Sequence, residues 1–187
     1  MTVLLAFDTA APHCAAALLR GDVVVTRVEP MATGQAERLM PLLEEMLAEA
    51  GLVWADLDGI GVGTGPGNFT GIRIGVAAAR GLALGLSIPA IGVTGFAAAG
   101  YGLPRPVTIT LPAPRGQVWQ QRLTDDGPEN PGLVPGEAPV PDSLANVTAI
   151  ARIAASLLGT PQPRPAPCYV RGADAAPPRD PPPVILP

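Results

Sequence analysis

The sequence predicts an α/β fold: mixed sheets flanked by helices, in two subdomains of which the second is reduced. Three observations lead there. Short apolar runs come first in meander order, strand and helix patterns then alternate, and 19 of the 24 prolines fall after Leu103. Strand–helix alternation after antiparallel hairpins is the pattern of a mixed sheet with helices on its faces. Dense proline shortens regular elements. Residues 1–103 therefore read as the N-terminal subdomain, and residues 104–187 as a shortened, proline-rich C-terminal subdomain and tail.

Val3 to Phe7 is a buried strand; Cys14 to Leu19 and Val23 to Val28 follow as the second and third, with Gly21-Asp22 as the hairpin turn between them. A helix runs from about Gln35 to Ala50, with Leu39, Met40, Leu43, Met46, Leu47 and Ala50 on one face and Gly51 as its stop. Pro41 belongs in its first turns or kinks it. A buried strand at Gly59 to Gly63 leads through a glycine-rich loop to a helix from about Gly71 to Leu86, then to a strand at Ala90 to Val93. Val107 to Leu111 and Gln117 to Leu123 read as strands joined by a turn at Pro114 to Gly116, and Asp125 to Asp142 as a polar linker. Asp142 or Ser143 caps a helix ending near Leu158, stopped by Gly159. From Pro161 onward an extended tail is predicted, held where Tyr169 and Val170 dock.

Of the 187 residues 48% are hydrophobic, enough for one sizeable core or two small ones that share an interface. The first apolar run has no basic lead and meets Asp8 before reaching signal-peptide length. No stretch offers eighteen uninterrupted apolar residues, so no membrane span is expected and the cytoplasm is the predicted location. Cys14 and Cys168 make no metal-ligand spacing with the single histidine, His13, and read as free buried thiols, a long-range disulfide being the alternative. The net charge is -4, and all 12 basic residues are arginine. Phosphate neutralisation supplies most non-specific affinity for nucleic acid, so work on RNA would need another component to hold the RNA.

Gly63 to Gly75, with its core Gly65-Pro66-Gly67-Asn68-Phe69-Thr70-Gly71, is a glycine-rich turn between a strand and a helix. Such turns can offer backbone N–H groups to phosphate. This one fits neither the P-loop nor the dinucleotide pattern, and the chain has no lysine, so a structural tight turn is the reading. Along the following helix Gly71, Gly75, Ala79 and Ala83 recur every four residues as a smooth stripe. Glycine inside a helix costs about 1 kcal/mol relative to alanine, so close packing must offset it, against either the chain's own sheet or a partner. Asp8-Thr9 ends the first strand, where an aspartate can cap the turn by accepting backbone N–H bonds. His13 has no obvious third member of a nucleophile–base set.

Leu4-Leu5-Ala6-Phe7-Asp8-Thr9-Ala10, Gln35-Ala36-Glu37-Arg38-Leu39-Met40-Pro41, the Gly63 to Gly75 run, Ala79-Arg80-Gly81-Leu82-Ala83 and Pro167-Cys168-Tyr169-Val170-Arg171-Gly172-Ala173-Asp174-Ala175 resemble, in order and spacing, the TsaB (YeaZ) family. That family is the non-catalytic partner of TsaD, in the glycoprotease group. The resemblance implies an actin-like ATPase (ASKHA, ribonuclease H-like) fold. It also implies an accessory, non-enzymatic role in forming N6-threonylcarbamoyladenosine at position 37 of tRNAs that read codons beginning with A. The implied partners are a TsaD-like catalytic subunit and a TsaE-like ATPase, with tRNA met only through the complex and a homodimer formed when the partner is absent. No cofactor is required by this chain alone, though ATP or ADP has a place at the complex interface.

In such folds the Asp8-Thr9 turn is where metal-bound phosphate sits, here as a vestigial phosphate loop. The candidate partner interface is Leu39, Leu43, Met46 and Leu47 of the first helix with Gly71, Gly75, Ala79 and Ala83 of the second. Departures from the family pattern at Gln35 and at Pro112 to Gln117 weaken a metal or nucleotide site rather than the scaffold role. An actin-like-fold enzyme (an ATP-dependent kinase or a glycoprotease-type metallopeptidase) and a stand-alone nucleotide-binding module are the alternatives.

Overall fold

Apolar side chains on both sides of a strand demand cover on both faces, and the first strand sets the architecture in this way. β1 (Val3–Asp8) is buried along its whole length. Successive side chains point to opposite faces, so Val3, Leu5 and Phe7 enter one core while Leu4 and Ala6 enter another. The structure is a computed structural model that describes residues 1–170. β2 (His13–Arg20) and β3 (Val23–Pro30) extend the sheet antiparallel to one side, while β4 (Gly59–Gly63) and β5 (Ala90–Val93) add to the other side in parallel, giving the order β3-β2-β1-β4-β5.

One face is covered by α1 (Gln35–Glu49) and α2 (Phe69–Leu86), both close to it in sequence. Leu39, Leu42, Leu43, Met46 and Leu47 of α1 fill this core. Arg38 clamps α1 to β3, its guanidinium donating to Glu29 at 2.6 Å and to Glu45 at 2.6 Å. The other face is covered by α4 (Ser143–Leu157) with help from the short α3 (Gly95–Ala99), through a core rich in alanine. α4 comes from the proline-rich half of the chain yet packs on β1, β2 and β4. A second sheet is built from β6 (Val107–Ala113), β7 (Gln117–Thr124), β8 (Gly127–Pro128) and β9 (Gly132–Pro135), the last two both pairing with β7. Phe96, Ile109, Leu111 and Leu123 form a third, smaller core between it and α3.

Several expectations need correction. α2 begins two residues early, at Phe69, because the Asn68 side chain accepts the Gly71 N–H at 2.8 Å and caps it. α1 continues past Pro41, which sits within its first two turns as expected; the proline is exposed on the solvent side, where the carbonyl it leaves unpaired can meet water. The segment expected as a linker contains β8 and β9, and α3 lies where the sequence pattern assigns no element. Of the two capping residues expected for α4, Asp142 is the cap, accepting the Leu144 N–H at 2.9 Å.

α2 has a mean hydropathy of 1.3 over its 18 residues and is long and apolar enough by composition to cross a membrane. Here Arg73 and Arg80 interrupt it, and Gly71, Ile72, Gly75, Val76 and Ala79 are buried within the fold. Residues 161–170 have no regular structure; the Cys168 N–H donates to the Thr64 carbonyl at 2.8 Å, Tyr169 stacks on Phe69, and Val170 packs on the third core. Arg171 to Ala175 of the tail motif lie outside the described residues.

Candidate functional site

The C-terminal ends of β1 and β4 open into a cleft of about 580 Å³ between the two sheets, the place where open α/β sheets bind ligands. Asp8, His13, Asn68, Trp119, Ser143 and Asn146 are among its lining residues. Asp8 is buried at the end of β1, and its Oδ1 accepts the Ala10 N–H at 3.2 Å, an Asx turn. Its Oδ2 lies 3.2 Å from His13 Nε2, and His13 Nδ1 lies 3.0 Å from Ser143 Oγ at the start of α4. The third member of the set is thus Ser143, 130 residues from His13. Sequence reading missed it because Ser143 looks like an ordinary helix cap, and no local pattern points to its distant partner.

The glycine-rich loop is pressed against the Asp8–Ala10 turn. A Cβ at Gly63 would overlap the Asp8 carboxylate, one at Gly67 the Ala10 carbonyl and one at Gly71 the Thr9 carbonyl. Side chains at these positions would push the loop away. Three donors of this turn are already engaged: Asn68 N–H donates to the Ala10 carbonyl at 2.7 Å, Gly71 N–H to the Asn68 side chain, and Ala10 N–H to Asp8. The Thr9 hydroxyl donates to the Gly71 carbonyl at 2.6 Å. No arginine lines the cleft, and among the described residues no cluster of three metal-ligating side chains exists. Asp8 and Thr9, the residues expected at a vestigial phosphate loop, here lock the turn to the glycine-rich loop.

The stripe Gly71, Gly75 and Ala79 is buried, and a Cβ on Gly75 would lie 2.8 Å from Thr9 Oγ1 and 3.4 Å from Val62. It faces the chain's own sheet. Leu39, Leu43, Met46 and Leu47 are likewise buried in the first core, and Ala83 is half-buried beside a second groove. As an interface seven of these eight residues, all but Ala83, are corrected: they hold the helices to the sheet. What faces outward is Arg73, Ala77, Arg80 and Leu84 of α2 and Glu37, Pro41 and Glu44 of α1, with Met40, Ile74 and Ala78 half-covered.

Cys14 and Cys168 are free thiols. Burial, with Glu29 nearby, pushes the Cys14 thiol up to about 11. Hydrogen bonds from Arg38 hold the Glu29 and Glu45 carboxyls below their ordinary value.

The strand order 3-2-1-4-5, antiparallel then parallel, with helices on both faces, defines an actin-like α/β protein of the ribonuclease H-like kind. A solved Pseudomonas aeruginosa structure, described as a protein with similarity to the peptidase YeaZ, superposes with a TM-score of 0.72 over 91% of this chain and 100% of that one, at 24% identity. The TsaB protein of Escherichia coli is 38% identical over 91 residues, 49% of this chain and 39% of that protein. An uncharacterized Mycobacterium bovis protein is 40% identical over 128 residues, 67% of this chain and 61% of its own length. The family model for TsaD, tRNA N6-adenosine threonylcarbamoyltransferase, matches residues 29–119. Over about half of its length this chain is thus similar in sequence to proteins named TsaB, at 33–39% identity. The match spans 39% of the E. coli relative and 61% of the M. bovis one, under two thirds of each.

Proposed function

We propose that the chain is a non-catalytic subunit of the machinery that forms N6-threonylcarbamoyladenosine at position 37 of tRNA, and that it acts in the cytoplasm by docking a TsaD-like catalytic subunit and helping to recruit a TsaE-like ATPase. The observation that carries this is the 38% identity to a protein named for threonylcarbamoyladenosine biosynthesis. The Asp8–Asn68 turn supports it, since its Ala10, Asn68 and Gly71 N–H groups are bonded within the chain rather than left for a nucleotide. The docking surface is the outward side of α1 and α2. Met40, Ile74 and Ala78 lie half-covered between the helices, so a partner helix pair laid over them would complete their burial. In its absence a second copy can cover the same strip. The test is reconstitution: purified chain, TsaD-like and TsaE-like proteins, ATP and tRNA, with the modified nucleoside read by mass spectrometry. Modification that depends on this chain is expected; equal modification without it overturns the reading.

One observation favours a second reading, an enzyme. Asp8, His13 and Ser143 form a continuous hydrogen-bonded chain in a cleft, an arrangement of carboxylate, imidazole and hydroxyl that can move a proton from the serine. Against it, the imidazole turns Nδ1 to the serine, and the chain also serves to hold the start of α4 against β2. Ester hydrolysis by the purified chain, abolished by Ser143→Ala and by Asp8→Asn, would establish the enzyme; the scaffold reading expects no turnover.

A further inference from the structure

The net charge of -4 conceals a segregation along the chain. Between Asp58 and Asp125 there is no acidic residue, while Arg73, Arg80, Arg105, Arg115 and Arg122 all fall in that interval. α2 and β5 belong to it. The segment after α4 has the same character, with Arg164 and no acid between Asp142 and Asp174.

These parts meet at a second groove, about 560 Å³, lined by residues that include Arg80, Leu84, Ile88, Ala90 and Arg164. No carboxylate lines it, and among the described residues neither arginine makes an ion pair. Leu84 is 83% exposed at its rim.

The floor of the groove is a sheet edge. β5 ends the order β3-β2-β1-β4-β5, and the Pro89 and Val93 carbonyls accept from Ile60 and Thr64 at 2.9 Å each. Backbone groups alternate sides along a strand, so Ile91 also faces β4, and the N–H and C=O of Ala90 and Gly92 point outward. The segment after α4 covers the face of β5, where Pro165 abuts Gly92, without adding a strand to its edge.

We propose that this groove docks an extended acidic segment of a partner protein, added as a further strand on β5. Its backbone would pair with the outward groups of Ala90 and Gly92, and carboxylates would reach Arg80 on one wall and Arg164 on the other. A row of peptide groups at strand spacing suits a polypeptide backbone, which a nucleic acid does not present. The site lies toward the C-terminal end of α2, and the proposal does not depend on the tRNA-modification reading.

The probe is a fluorescein-labelled peptide of alternating glutamate and valine, titrated with the full chain by anisotropy at low and at physiological salt. Saturable binding is expected, at least tenfold weaker for Arg80→Glu and for Arg164→Glu, whose exposed positions leave the melting curve unchanged. The same peptide with alternate backbone nitrogens methylated should also bind at least tenfold more weakly, and a lysine–valine peptide should not bind. Failure of the glutamate peptide to saturate overturns the proposal. Full binding by the methylated peptide, or by an oligouridylate, also overturns it, since either would make the groove a general anion surface rather than a strand acceptor.

Discussion

The two faces of the first sheet are built differently. On one, leucine, methionine and isoleucine from α1 and α2 interlock with Leu5, Phe7 and Leu18, and both covering helices lie within the first 86 residues. On the other, Ala6, Ala15 and Ala17 meet Ala149, Ala151 and Ala154 of a helix that begins at Ser143. Large side chains fill space and tolerate a gap between helix and strand; alanine and glycine require the backbones to come close. Gly61 shows the second kind, since a Cβ there would lie 2.9 Å from the Ala154 Cβ and 3.1 Å from that of Ala6. The face assembled from remote sequence is thus the tightly fitted one, and it also brings Ser143 to His13 in the cleft.

Removing the remote cover should have the largest effect. A chain ending at Asp142 loses α4, exposes Leu4, Ala6, Ala15 and Ile91, and is expected not to fold; a cooperative thermal transition by circular dichroism would break the claim that both faces are needed. Next come paired substitutions of opposite kind. Leu43→Ala on the first face leaves a cavity and should cost about 2–5 kcal/mol. Ala154→Leu on the second overpacks and should cost about 1–3 kcal/mol. Urea denaturation measures both, and a harmless Ala154→Leu would mean that the alanine face is loose.

The smallest effect is at Cys14, buried on the large-residue face. Its thiol is raised from 9.0 to about 11, so the fold favours the protonated form. This contribution to stability is full below pH 9 and is lost as pH rises toward 11. Alkylation of Cys14 in the native chain should therefore be slow at pH 8 and faster in urea; rapid native labelling would place the thiol at the surface.

The local face was legible because each of its elements carries its own period: alternation is unnecessary in the fully buried β1 and β4, and α1 shows Leu39, Leu43, Met46 and Leu47 at helical spacing. α3, β8 and β9 were not, being five, two and four residues long, too short for any period to register. The direction of the Gly71, Gly75 and Ala79 stripe was also beyond reach, since a smooth surface serves a sheet and a partner equally well. Asp8 was found at its strand end, while its link through His13 to Ser143 depends on how α4 docks, which no short-range pattern encodes.

α2 lets the account be tested two residues apart. Gly75 faces Thr9 and Val62, whereas Ala77 faces solvent on the side proposed to dock a TsaD-like subunit. Isothermal titration with that subunit, alongside a melting curve, would be measured for Gly75→Leu and Ala77→Trp. Gly75→Leu is expected to lower the melting temperature, and Ala77→Trp to leave it unchanged while weakening association at least tenfold. Undiminished association of a stably folded Ala77→Trp variant would contradict it.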